Sequence, residues 1–136
     1  MSSFIYNSCF LDAFRGRIDF DNASFKTVLL SNSYEPDKAA HSRRSDLTGE
    51  ISGQGYEQGG APVDVRMAMN GELFTLILGA VEFPKATLSA RFAAYVVDHG
   101  GDPEEDELVA LVDFGGDVSS TNALWALNAS TLKIQN

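Results

Sequence analysis

The chain has 136 residues, 44% of them hydrophobic and 21% charged, which suits one packed core and is too apolar for a disordered chain. Its net charge of −9 leaves no basic surface for a phosphate backbone, so nucleic acid is not an expected partner. Cys9 is the only cysteine, so there is no intrachain disulfide and no thiolate cluster for a metal, and stability must come from packing.

The first segment, Ser3 to Arg15, places Phe4, Ile5, Cys9, Phe10, Leu11 and Phe14 at spacings of three and four, predicting a short amphipathic helix that ends near Gly16. Asp12, Arg15 and Arg17 interrupt its apolar character, so it does not read as a secretion signal. No stretch approaches the roughly 20 apolar residues that cross a bilayer. The expectation is a chain made and folded in the cytoplasm, with no membrane partner. After the Asp21-Asn22 turn, Phe25 to Leu30 is a β-branched and aromatic run that predicts a buried strand.

Residues 31–62 then change character, becoming polar and glycine-rich, and read as a long loop or arm with room for a helical turn between Pro36 and Arg43. Long loops carried by compact domains are where binding and assembly contacts concentrate. From Val63 to Met69, Val63, Val65, Met67 and Met69 alternate with Asp64, Arg66 and Ala68, the period of a half-buried strand. Asn70-Gly71 signals a tight hairpin, returned by Leu73 to Leu78 and extended through Val81 and Phe83.

Thr87 to Val97 predicts the central strand, with Leu88, Ala90, Phe92, Ala94 and Val96 on one face and Ser89, Arg91, Ala93 and Tyr95 on the other. Asp98 to Glu107 reads as a solvated acidic turn leading into an antiparallel strand from Leu108 to Phe114. Gly115, Gly116, Asp117 and Asn122 mark a further turn, and Leu124 to Leu127 and Thr131 to Ile134 supply closing strands. These elements predict a single, mainly β domain over residues 1–136. Its expected form is an antiparallel β-sandwich, jelly-roll-like, or a partly closed barrel, with a short N-terminal helix.

Candidate chemistry is sparse. His41 and His99 lack zinc-ligand spacing, and no serine sits in a nucleophile elbow. The carboxylates at Asp102, Glu104, Glu105, Asp106 and Glu107 could gather calcium but lack the alternating pattern of an EF-hand loop. Trp125 and Tyr56 could stack on a sugar, although Trp125 sits among apolar neighbours as core aromatics do. The expectation is no enzyme activity, no cofactor and no metal site.

The pieces RIDFDNASFKTVLLSNSYEPD, HSRRSDLTGEISGQGYEQGGAPV, FPKATLSARFAAYVVDHGG and LVALVDFGGD, in that order, resemble a family of small tailed-bacteriophage virion proteins across nearly the whole chain. The most specific part is Ser52 to Gly60, with its glycines spaced around Tyr56. The chain departs from the pattern between Val63 and Glu82 and at His99.

What the resemblance implies is a structural role in the virion, on the head as a decoration or cement protein bound to the major capsid protein, or as a tail or fibre-associated part. A homo-oligomer such as a trimer fits repeated binding on a symmetric shell. The expected assembly contacts lie in the long loop, at Tyr34, His41, Arg43, Arg44, Tyr56, Gly59 and Gly60. The loop around Tyr56 is expected to become ordered, and Tyr56 hidden, only on meeting its neighbour.

Overall fold

The computed structural model describes residues 3–134. In chain order its elements are β1 (Phe4–Ile5), α1 (Asn7–Phe14), β2 (Phe25–Leu30), β3 (Ala61–Val63), β4 (Val65–Asn70), β5 (Leu73–Leu78), β6 (Val81–Val97), β7 (Leu108–Leu127) and β8 (Ser130–Ile134). Single 3-10 turns lie at Arg44–Asp46 and Pro103–Glu105. The strands form a five-stranded sheet in the order β1-β7-β6-β2-β3 and a three-stranded sheet in the order β4-β5-β8. All pairings are antiparallel, and the sheets stack as a sandwich without closing into a barrel.

The frame is the β6–β7 hairpin, paired from Val96↔Leu108 at its turn to Val81↔Leu127 at its far end. It is not flat. Lys85 (φ 51) and Asn122 (φ 45) adopt left-handed backbone beside the facing pair Ala86↔Ala123, and the ladder slips on both sides of that pair. Bulges of this kind sharpen twist and turn a strand. The consequence is visible in Trp125, whose Nε1 donates to the Val118 carbonyl of the same strand at 3.0 Å. Seven extended residues would separate those groups by about 23 Å, so the ribbon must fold back at Asn122. The expected break over Gly115 to Asn122 is therefore a bend within one strand.

A further slip, between Ala90 and Phe92, changes which side of β6 faces which core. Leu88 and Ala90 pack with Trp125 and Phe83, whereas beyond the slip it is Ala93, Tyr95 and Val97 that join this main core. Phe92, Ala94 and Val96 turn to the opposite face, against Tyr6, Tyr34 and Leu111. A single alternating face along Thr87 to Val97 is thus not what forms. The five-stranded sheet is buried on both sides, by the small sheet, α1 and the end of the long loop (Ile51, Tyr56) on one and by Tyr6, Tyr34 and Leu47 on the other.

The helix begins later than the apolar spacing suggests. Phe4 and Ile5 pair with Leu111 and Ala110 at the edge of β7, and Tyr6 stays extended (φ −61, ψ 140) before α1 starts. Gly16 (φ 76) then ends it, where a residue with a side chain would be strained. Only Cys9 and Asp12 of the helix are buried, while Leu11 and Phe14 remain exposed. The β4–β5 hairpin turns on Gly71-Glu72, one residue beyond the expected pair, because Asn70 still pairs with Leu73. Gly71 (φ 63) supplies the first turn position of that two-residue loop.

One polar feature lies deep in the main core. Thr27 and Tyr95 face each other across β2 and β6, both fully buried, and neither hydroxyl makes a hydrogen bond of good geometry. Burial pushes the Tyr95 phenol up to about 12, so it stays protonated. An unsatisfied buried hydroxyl costs stability, so Tyr95→Phe should leave the thermal midpoint unchanged or raise it. A clear fall in that midpoint would show that the hydroxyl is satisfied.

Candidate functional site

The long loop is tied to the sheet at three places, and these bring the sequence-predicted residues into two groups. At its start, Ser31 N donates to the Gly49 carbonyl (2.8 Å) and Ile51 N to the Leu29 carbonyl (3.1 Å), so the returning loop runs beside the end of β2. Tyr34 is buried, with its ring edge-on to Phe92. Its hydroxyl lies 2.9 Å from that of Tyr6 and 2.8 Å from His41 Nδ1. Burial first, and then the hydrogen bond to Tyr34, push the Tyr6 phenol far above its ordinary value.

In the middle, Ser42 to Arg44 runs against Asp106 to Leu108. Arg44 N donates to the Asp106 carbonyl (2.9 Å), and Leu108 N to the Ser42 carbonyl (3.1 Å). Side chains reinforce this pairing, with Arg44 Nε on Asp106 Oδ2 at 2.8 Å and Arg43 Nη1 on Asp12 Oδ2 at 3.1 Å. Asp12 also receives Arg17 at 3.3 Å. Asp46 accepts the backbone N–H groups of Ser42 and Arg43, which hold its carboxyl below the usual range. The expected helical turn between Pro36 and Arg43 is a single one, closed by His41 N on the Asp37 carbonyl at 3.0 Å and capped by the Asp37 carboxylate on Ala39 N and Ala40 N. A separate 3-10 turn follows at Arg44–Asp46, where the Asp46 carboxylate organises the backbone.

At its end, the loop is organised by Glu50. Its Oε2 accepts from the Tyr56 hydroxyl (2.6 Å) and from Gly59 N (2.7 Å), while Tyr56 Oη accepts from Leu29 N at 3.1 Å. Gln58 Nε2 donates to the Ile51 carbonyl. Gly60 (φ 98) lies flat on β2, so close that a Cβ would stand 2.3 Å from the Thr27 carbonyl oxygen. The glycine spacing around Tyr56 is therefore a folding device. Tyr56 is only 8% exposed without any neighbour, which corrects the expectation that it is hidden only on assembly.

Tyr34, His41, Arg43 and Arg44 thus gather near the β6–β7 turn, and Tyr56, Gly59 and Gly60 gather on β2. The side chains of Tyr34, Arg43, Arg44 and Tyr56 are occupied within the chain. Trp125 (3% exposed) and Tyr56 pack on Phe83, so neither ring offers a face to a sugar. Burial raises the Cys9 thiol to about 12, which keeps it protonated and unreactive. Ser8 donates to the His41 carbonyl, not to its ring. Among the described residues no group of three or more His, Cys, Asp or Glu converges as metal ligands would.

Sequence reasoning missed Glu50 and the inner end of the acidic turn. Asp106 and Glu107 are buried, and Glu107 Oε1 lies 2.6 Å from His99 Nε2. Their available signal was position, immediately before the fully apolar start of β7. The hydrogen bond to Glu107 raises the His99 pKa, with the charges of Glu107, Asp106 and Glu105 adding to it and desolvation opposing it. A raised folded-state value means this pair stabilises fully below about pH 6.5, the ordinary histidine value, and is lost as pH climbs through the raised one. The His99 side chain is 41% exposed, so the contribution is of surface size, about 0.2–1 kcal/mol. Thermal midpoints should fall between pH 6 and 9 by more in the parent than in His99→Gln; parallel profiles would remove the pair from the account.

Comparison of the chain with protein-family models, with curated proteins and with solved structures finds no match.

Proposed function

We propose that this chain is a non-catalytic structural protein of a tailed-bacteriophage virion, a head decoration or cement protein that binds the major capsid lattice and stabilises it. Support for the virion comes from the motif order and from the Asp46-to-Gly60 segment, whose Glu50, Tyr56, Gly59 and Gly60 form one anchoring unit. Support for a binding role comes from the small sheet. Its inner face holds Val65, Leu76 and Leu78 in the core, then continues outward along the same register to Met67, Phe74 and Met69, of which Met69 is 76% exposed. This outward-running apolar face is the observation that carries the reading, because sheet faces left uncovered in this way mark partner surfaces.

The partner is the major capsid protein or another virion protein, joined by further copies of this chain in a cyclic oligomer such as a trimer. Its copy number in purified particles, measured by quantitative mass spectrometry against the major capsid protein, tests the reading. Abundance comparable with the capsid protein supports shell decoration, and far fewer copies would move the protein to the tail or fibres. Absence from particles would overturn the virion role.

A further inference from the structure

The two sheets end together on each side of the sandwich. On one side stand β3 and β4, edge strands of the large and small sheets, and on the other stand β1 and β8. Each side carries an open groove. The β3/β4 groove, of about 750 Å³, is lined by polar and apolar groups together, among them Phe20, the half-exposed Met67, Asp21, Asp64 and Arg66. The β1/β8 groove, of about 560 Å³, is floored by Phe4, Phe10, Leu132 and Ile134, and its charged residues are Lys38 and Lys133.

These grooves are complementary. The first carries two carboxylates against one guanidinium, and the second carries two ammonium groups. Among the described residues, none of Asp21, Asp64, Lys38 and Lys133 forms an ion pair through its side chain. Their charges are thus free to meet another chain, whereas Arg17, Lys26, Arg43, Arg44 and Arg91 are engaged with internal partners. Both grooves also expose the outer edges of strands, whose unpaired N–H and C=O groups are a template for another chain.

We propose that the occupant of each groove is a second copy of this chain, the β1/β8 edge of one copy docking on the β3/β4 edge of the next. Lys38 and Lys133 then face Asp21 and Asp64 across the strand edges that border the two grooves. The contact joins different surfaces of the two copies, so it is heterologous, and it closes into a ring when the rotation between copies divides the circle. This is the contact that a cyclic trimer requires. The inference rests on the structural-assembly reading and specifies the surfaces by which copies meet.

Charge reversal separates this arrangement from general stickiness. Lys38, Lys133, Asp21 and Asp64 are all exposed, so their replacement spares the core. In sedimentation velocity over a concentration series, the parent chain should form a discrete oligomer. The double variants Lys38→Glu/Lys133→Glu and Asp21→Lys/Asp64→Lys should each associate roughly tenfold more weakly or worse, because like charges then meet. Mixed in equal amounts they should bind one another, since a contact between two unlike variants regains opposite charges, although a three-membered ring of the two keeps one like-charged contact and so does not close as the parent's does.

Circular dichroism melts confirm that each variant is folded, and single reversals at Lys133 and Asp64 stand in for any double variant that is not. A parent chain that stays monomeric overturns the inference, as do variants that assemble as tightly as the parent or a mixture in which the unlike variants bind one another no better than each binds itself. Particle copy number is read independently, so loss of this interface and loss of the virion role are distinguishable.

Discussion

Gly60→Ala should lower stability by about 3 kcal/mol or more, roughly 10 °C in thermal midpoint, while Gly59→Ala next to it should cost only about 1 kcal/mol. The two glycines share almost the same backbone, with φ 98 and φ 100. They differ in surroundings. A Cβ on Gly59 meets nothing within 4 Å, but one on Gly60 meets the Thr27 carbonyl oxygen at 2.3 Å and its carbon at 3.0 Å. Thr27 cannot retreat, because β2 is paired on both sides, to Ala61 and to Tyr95. The difference between the variants therefore isolates the close approach of loop to sheet from the backbone preference that both glycines serve. Equal losses would mean that the loop sits on β2 less tightly than the structure describes.

Local patterns carried the parts of the fold that depend on a few neighbouring residues. The Phe25 to Leu30 run forms a strand over those same residues, and Trp125 is core, as its apolar neighbours indicate. The parts that escaped are set by distant partners. Nothing near Arg91 announces the ladder slip that turns Phe92 to the other face, since the slip belongs to pairing with β7. Likewise Gly115 to Asn122 looks like a turn in isolation but lies inside β7, where Val118, Ser119 and Ser120 pair with β6 while Gly115 (φ 83) and Asn122 (φ 45) bend the strand on either side. The loop's site residues were legible as a segment, yet their use was not. Glu50 is polar and ordinary in sequence, and it becomes an anchor only where Tyr56 and Gly59 fold back on it. The edge grooves exist only once β3 is beside β4 and β1 is beside β8, which no window of sequence contains.

Asp106→Ala should cost about 3 kcal/mol and loosen the loop before the rest of the chain, in contrast to Asp102→Ala, four residues earlier on the same acidic turn, which should stay within about 0.5 kcal/mol. Asp102 is exposed, whereas Asp106 is 1% exposed and uses both carboxylate oxygens. Oδ2 accepts from Arg44 Nε at 2.8 Å, and Oδ1 accepts from His99 N at 3.0 Å. Truncation leaves the largely covered Arg44 guanidinium without its counter-charge and a backbone N–H without its acceptor, and unmade bonds of buried groups cost more than made ones contribute. The loss is also local, because Arg44 and Asp106 hold together the short pairing of Ser42–Arg44 with Asp106–Leu108. Hydrogen exchange at Arg44 N and Leu108 N should accelerate in Asp106→Ala under conditions where the amides of β2 and β6 remain protected. Uniform acceleration across both sheets would instead make this carboxylate part of the global folding unit, and the loop inseparable from the sandwich it covers.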